Sequence, residues 1–267
     1  MKNYSSRPFV TVVITAHEGD IEYLPRCLAS IARQSLSKRE IEVLLAFDGK
    51  PSPLAEKVMD GAADASGITP QLFAADEATG YYTMPRNRVT PFARGHYIAP
   101  MDVDNEMAPG HLAGLLRSIR TALPKQGWPH FVYSRREYVH DEGAEAHLPK
   151  GPSPLTPWTK ENVQSLLQGA RFNFVDTGDM LVPLSVLHEL AARTGCMWNA
   201  QVRRFGDYDL VFRMQACGFR GRAVDQVTNI YHWTGSNLQV TRQAEELATI
   251  PESMYLEAKK RGWVRED

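Results

Sequence analysis

Long apolar runs are missing from this 267-residue sequence. No stretch approaches the roughly 18 consecutive apolar residues that a membrane-spanning helix needs, so no membrane anchor is expected. Met1 to Pro8 also lacks the hydrophobic segment of a secretory leader. Cysteine is scarce: Cys27, Cys196 and Cys217 are widely separated, with no Cys-x-x-Cys. That excludes a disulfide framework and a thiolate-rich zinc site, and predicts reduced structural thiols in a cytoplasmic protein. A surplus of one charge is absent too, with 30 basic against 31 acidic residues. Nothing therefore calls for nucleic acid or an anionic membrane as partner. Arg203, Arg204, Arg213, Arg220 and Arg222 do cluster along the chain, as a solvated edge or as a binder of acceptor phosphate. There is no internal repeat and no Gly-, Pro- or Ser-rich linker, so one large α/β domain is expected.

What is present begins with Asp102-Val103-Asp104, directly after the apolar run Gly95 to Met101. In an extended chain, residues two apart point to the same face. A buried strand ending this way offers two carboxylates to one hard divalent cation, Mn²⁺ or Mg²⁺, which also accept water and phosphate oxygens. A polar turn is the competing reading, because Asp and Asn favour turns and Asn105 follows.

The surrounding pattern alternates strands and helices. Val10 to Thr15 and Ile41 to Phe47 are β-rich runs of buried-strand length, and Gln71 to Ala74 is a weaker third. Leu24, Leu28 and Ile31 have helical spacing, Leu54 to Ala65 reads as the next helix, and Tyr82 to Ala93 as another, bent near Pro85 and Pro91. This alternation predicts an α/β fold with a doubly wound, mostly parallel sheet. In such sheets ligands bind beyond the carboxyl ends of the strands, where Asp48 and Asp102 both fall.

In the second half, Leu112 to Leu123 is amphipathic and Phe131 to Tyr138 a strand. Val139 to Thr159 has no periodicity and is predicted to be a mobile loop over the site. Helices are expected from Val182-Pro183-Leu184 to Gly195 and from Asp207 to Cys217, then a strand over Ala223 to Tyr231 and a C-terminal helix over Arg242 to Lys260.

In order, the chain presents Phe47-Asp48-Gly49, Arg86-Asn87, Asp102-Val103-Asp104, Phe205-Gly206-Asp207-Tyr208-Asp209-Leu210 with Arg213 and Gly218, and Tyr231-His232-Trp233. From about Val10 to Trp233 this resembles an inverting, family-2-type glycosyltransferase of the A fold, and the Asp207 helix is similar to a galactosyltransferase signature. The resemblance implies a nucleotide-sugar donor, most simply a UDP-sugar, bound in a half spanning residues 9–105. Residues 106–241 would form the acceptor and catalytic half, and 242–267 a closing helix. Thr15, His17, Glu18, Asp48, Arg86, Asp102 and Val103 would contact the donor, with Asp48 accepting from the base and Arg86 near the diphosphate. Asp104, with Asp102 and His232, would hold the metal. Asp207 would be the general base, while Asp209 and Trp198 would meet the acceptor. The sequence departs from the pattern at Gly206, where a Glu is usual.

Each residue also fits a structural role. Asp48-Gly49 suits a turn, Asp207 an N-cap, and His232 a packed ring. Trp158, Trp198 and Trp233 suit either sugar stacking or the core. A nucleotidyltransferase would use a Gly-rich basic loop after the first strand, whereas here that turn is Ala16-His17-Glu18-Gly19-Asp20. A nucleotide-sugar or glycan-binding module without turnover is the other alternative. The acceptor is open among a glycan, a protein, a modified nucleobase and a small molecule.

Overall fold

The computed structural model describes residues 8–121, 129–142, 148–167, 174–202 and 206–234. The first half runs β1 (Val10–Ala16), α1 (Leu24–Ala32), β2 (Ile41–Phe47), α2 (Pro53–Ser66), β3 (Gln71–Phe73), α3 (Thr83–Val89) and β4 (Tyr97–Asp102). The second runs β5 (Glu106–Met107), α4 (His111–Arg120), β6 (Phe131–His140), β7 (Gly151–Pro152) and α5 (Lys160–Leu167). It continues with β8 (Met180–Pro183), α6 (Leu184–Thr194), α7 (Gly206–Ala216) and β9 (Gly221–Trp233). These form one nine-stranded sheet of order β3-β2-β1-β4-β8-β6-β9-β5, with β7 on the side of β6. The sheet is parallel from β3 to β4 and mixed beyond, because β8 runs antiparallel to both β4 and β6.

Strand alternation builds two cores. On β1 and β2, Val10, Val12, Ile14, Val43, Leu45 and Phe47 pack with Leu24, Leu28 and Ile31 of α1, Ala55 and Met59 of α2, and Leu112, Leu115 and Ile119 of α4. Val13, Leu44 and Ala46 point the other way, toward Val89 of α3, Leu187 and Leu190 of α6, and Leu210, Val211 and Met214 of α7. Period 2 on the strands and period 3.6 on the helices thus make a three-layer sandwich. Each Val, Leu, Ile, Phe or Met side chain among them, once buried, contributes about 1.5–3 kcal/mol. Helix ends follow local chemistry. Ser52 caps α2 through the Ala55 amide at 3.1 Å, and Gly195 ends α6 in a left-handed conformation at φ 89°.

Several expectations are corrected. Met180 to Val182 is a strand, and Pro183 is the N-cap of α6 rather than part of it. The helix around Arg86 does not bend at Pro85, which lies in its first turn; it tightens to a 3₁₀ turn at Thr90 to Phe92, where Pro91 enters. The expected loop from Val139 opens inside β6, and Gly151-Pro152 returns to pair with Tyr138 and Glu137. Residues 143–147 of that loop, the Arg203-Arg204 pair, Phe205 and the expected helix from Arg242 lie outside the described residues.

Candidate functional site

The register of β1 against β4 sets Thr15 beside Asp102, at the carboxyl ends of both strands. Thr15 Oγ1 donates to Asp102 Oδ1 at 2.9 Å, and Arg86 Nη2 donates to the same oxygen at 2.6 Å. Among the described residues nothing bonds Oδ2, and the Asp102 side chain is 31% exposed. One carboxylate oxygen is therefore anchored while the other faces outward. Burial pushes the Asp102 carboxyl up and Arg86 works against it. Asp104 is pushed well above the usual carboxylate range, first by burial and then by the charges of Asp102, Asp20 and Asp176, with Arg26 opposing them.

Arg86 is fully enclosed and does not stand at an open phosphate-facing surface. Its Nη1 donates to Thr177 Oγ1 at 3.0 Å, and its guanidinium lies over the rings of Tyr82 and Trp198, at 4.5 and 5.4 Å. The arginine stiffens Asp102 from behind. Thr177 belongs to the turn Asp176-Thr177-Gly178-Asp179, closed by its own capping box. A buried network holds that turn: Arg136 Nη2 donates to Asp179 Oδ2 at 2.5 Å, and Asn229 Nδ2 to Asp179 Oδ1 at 2.8 Å. Sequence reading missed these residues. Two acids three apart, directly before the apolar stretch Met180 to Val182, were the available signal, since buried charges require partners.

Asp48 ends β2, but three donors already serve its oxygens: the Thr79 amide, the Thr79 hydroxyl at 2.7 Å and the Gly80 amide at 2.7 Å. It fastens the loop before α3, so the turn reading describes it better than an acceptor waiting for a base. Glu18 accepts from the Ser52 hydroxyl and from the Ser52 amide at 3.2 Å, joining the β1–α1 turn to α2. His17 is exposed; its Nδ1 accepts from the Gly19 amide at 2.9 Å and its Nε2 lies 3.3 Å from Asp20. The Val103 side chain is core, 1% exposed, and its amide donates to the Thr15 carbonyl at 3.1 Å, so neither is offered to a donor.

His232, on β9, sets Nδ1 2.7 Å from Asp141 Oδ1 and Nε2 3.1 Å from Glu106 Oε1. Arg26 completes this cluster, reaching Asp141 at 2.8 Å and the Asp104 carbonyl at 2.6 Å. Both imidazole nitrogens are engaged by carboxylates, so the expected third metal ligand stands here in an ion-pair cluster with Asp141 and Glu106. Among the described residues no group of three or more His, Cys, Asp or Glu side chains is placed to hold a metal ion. Asp102 and Asp104 still fit one: two recessed carboxylates that repel each other are relieved by a divalent cation. Mg²⁺ and Mn²⁺ sites of one or two carboxylates are commonly completed by water and phosphate oxygens.

On α7 the two acids differ. Asp207 lies in the first turn, where its amide donates to Tyr82 Oη at 3.2 Å and Tyr82 Oη donates to Asp207 Oδ1 at 3.4 Å. Asp209 pairs with Arg213 Nε at 2.7 Å and accepts from Asn199 Nδ2 at 3.0 Å. Arg213 then donates to the Cys196 and Met197 carbonyls, at 2.8 and 3.0 Å. Asp209 is thus a strut and not an acceptor contact. Trp198 is 1% exposed with its indole N–H on Thr90 Oγ1 at 2.9 Å, and Trp233 is sealed against Tyr138. Neither offers a face to a sugar. Gly206 has its own reason: a Cβ there would meet Thr83 Cγ2 at 2.4 Å.

Among the described residues no helix is long and apolar enough to cross a membrane. A family model described as glycosyl transferase family 2 matches residues 11–175. Among solved structures, the chain is similar to S. aureus TarS 1-349 in complex with UDP-GlcNAc, at 12% identity and a TM-score of 0.66, covering 93% of this chain and 66% of that one. It is also similar to the mannosyltransferase PcManGT from Pyrobaculum calidifontis in complex with GDP-Man and Mn²⁺, at 15% identity and a TM-score of 0.63, covering 97% and 65%. A longer TarS chain is matched over 43% of its length, at 13% identity and a TM-score of 0.61. At these identities the likeness is one of fold. No curated protein matches the chain.

Proposed function

The chain belongs to glycosyl transferase family 2, and from that premise we propose that it moves a sugar from a nucleoside-diphosphate donor to an acceptor hydroxyl with inversion. The observation that carries this reading is the half-anchored Asp102 beside Asp104 at the end of β4. Thr15 and Arg86 fix one oxygen of Asp102 at the carboxyl edge of the parallel strands, where α/β folds bind ligands, and Asp104 follows two residues on. The donor half is residues 9–105, the acceptor half 106–241. A UDP-sugar is the first donor to test, with a GDP-sugar as the contrast.

Asp104 and Asp102 would hold Mn²⁺ or Mg²⁺. When bound, such an ion supplies Lewis-acid stabilisation to the departing diphosphate. Asp207, in the first turn of α7, sits where the helix field favours a carboxylate over its neutral form. It takes the acceptor's proton as the acceptor oxygen bonds to the anomeric carbon, while the bond from that carbon to the diphosphate breaks with its electron pair on the leaving oxygen. Attack opposite the leaving group inverts the centre. Asp48 shapes the rim by holding the 79–80 loop, and Asp209 holds the 196–197 segment behind α7.

A thermal-shift screen of UDP- and GDP-sugars, with and without Mn²⁺, tests the reading. A donor at 100 times its dissociation constant stabilises the fold by about 2.7 kcal/mol. Stabilisation by at least one nucleotide sugar that requires the metal is expected; no shift with any of them would overturn the proposal.

A further inference from the structure

The hydroxyl of Tyr82 sits against both ends of the Asp207 residue, accepting from its amide at 3.2 Å and donating to its carboxylate at 3.4 Å. The tyrosine is itself held firmly. It is the N-cap residue of α3, and its carbonyl accepts from the Arg86 amide at 3.2 Å. Its ring carries the Arg86 guanidinium 4.5 Å from the ring centre. The space beside Gly206 is closed, since a Cβ there would come within 2.4 Å of Thr83 and 3.3 Å of the Tyr82 hydroxyl. A side chain at 206 would have to push the Thr83 methyl aside, and Tyr82, from another element, is placed to orient the Asp207 carboxylate. Burial, and then the Asp207 charge, hold the Tyr82 phenol well above its ordinary pKa, so it stays a donor.

We propose that Tyr82 is a positioning residue for Asp207, and that its two faces couple the base to the arginine holding Asp102. This rests on Asp207 being the base. The hydroxyl orients the carboxylate that takes the acceptor's proton, and the ring supports the guanidinium behind the donor carboxylate. The two tasks separate chemically. Tyr82→Phe keeps the ring and removes only the hydroxyl, so donor binding survives while proton transfer loses its alignment.

The test compares Tyr82→Phe, Asp207→Asn and the double variant. The reaction is release of nucleoside diphosphate from UDP-GlcNAc and GDP-mannose with Mn²⁺, using water as acceptor. Tyr82→Phe is expected to lower kcat about 10-fold, because small misplacements of a reacting group cost up to 10² in rate. Its KM should stay within about twofold, the pattern of an interaction that matters only in the transition state. In the Asp207→Asn background the same change should cost nothing further, since there is no base left to orient. An unchanged kcat in Tyr82→Phe beside an impaired Asp207→Asn overturns the proposal and leaves the base reading standing. An equal loss in both backgrounds also overturns it, because Tyr82 would then act through the fold. Full turnover in Asp207→Asn removes the base reading itself, and the role of Tyr82 with it.

Discussion

The Arg86–Asp102 pair at the end of β4 and the Arg213–Asp209 pair on α7 are nearly equal in length, at 2.6 and 2.7 Å, and both arginines are buried. Their carboxylates differ. The Asp102 side chain is 31% exposed and that of Asp209 only 8%. Asp102 uses one oxygen inside the protein and turns the other outward, whereas Asp209 has both oxygens taken, by Arg213 and Asn199. Chemically identical pairs thus divide into a pre-organised binding group and a structural strut. Which one a given pair becomes depends on where its strand or helix ends. Asp102 terminates a parallel strand at the ligand edge of the sheet, and Asp209 lies within a buried first turn.

The largest expected effect concerns Asp207, beside the strut but not part of it. Asp207→Asn keeps the shape and the helix start, yet cannot accept a proton at neutral pH. Loss of a positioned base costs about 10² to 10⁴ in rate, and nucleotide affinity should be unchanged. Steady-state turnover together with nucleotide calorimetry checks both halves. Near wild-type turnover would place the base elsewhere.

The two arginines give the next test. Arg213→Met strands Asp209 in the interior, and breaking a buried pair costs about 3–5 kcal/mol. Arg86→Met strands a carboxylate that water reaches, so the destabilisation should be smaller, roughly 1–3 kcal/mol, but nucleotide affinity should fall with it. Urea unfolding and nucleotide titration of the two variants separate the roles. Equal stability losses with equal affinities would erase the distinction drawn between the pairs.

Much of the open region was legible in the sequence. A β-branched run marked β1, an apolar run of buried-strand length marked β2, and an i, i+2 acid pair after an apolar strand marked the site, because strand patterning and carboxylate chemistry are both local. The sealed region was far less legible. Asp209 read as an acceptor contact because nothing local shows that Asn199 and Arg213 will close on it. Arg86 read as a phosphate fork for the same reason: Thr177 lies 91 residues away. The strand β8 was hidden because Met180-Leu181-Val182 runs directly into the helix after Pro183, and a short apolar run has no period of its own. The Tyr82–Asp207 contact spans 125 residues, and the departure from the pattern at Gly206 has no local reason, since the Thr83 methyl that crowds it comes from another element.

The smallest effect sharpens the electrostatics of the open side. Asp20, in the β1–α1 turn, is pushed up from 3.8 to about 6, first by burial, with the charge of Asp102 adding to it and His17 opposing. The folded protein therefore binds this proton more tightly than the unfolded chain. Stability is lost as pH rises from 3.8 to about 6 and is level above. Asp20→Asn should gain in melting temperature relative to wild type across that window and hold the gain at higher pH. A difference independent of pH would show that the fold does not hold the Asp20 carboxyl above its ordinary value.

The central claim, that Asp102 and Asp104 at and just beyond the end of β4 form the donor site, is tested most directly by calorimetry of UDP and GDP with and without Mn²⁺, in wild type and Asp104→Ala. Burial and the neighbouring acids already disfavour the Asp104 charge, so the variant that removes it should fold. Mn²⁺ should tighten nucleotide binding to the wild type and leave affinity unchanged in Asp104→Ala. Equal tightening by Mn²⁺ in both proteins, or none in the wild type, would contradict the account.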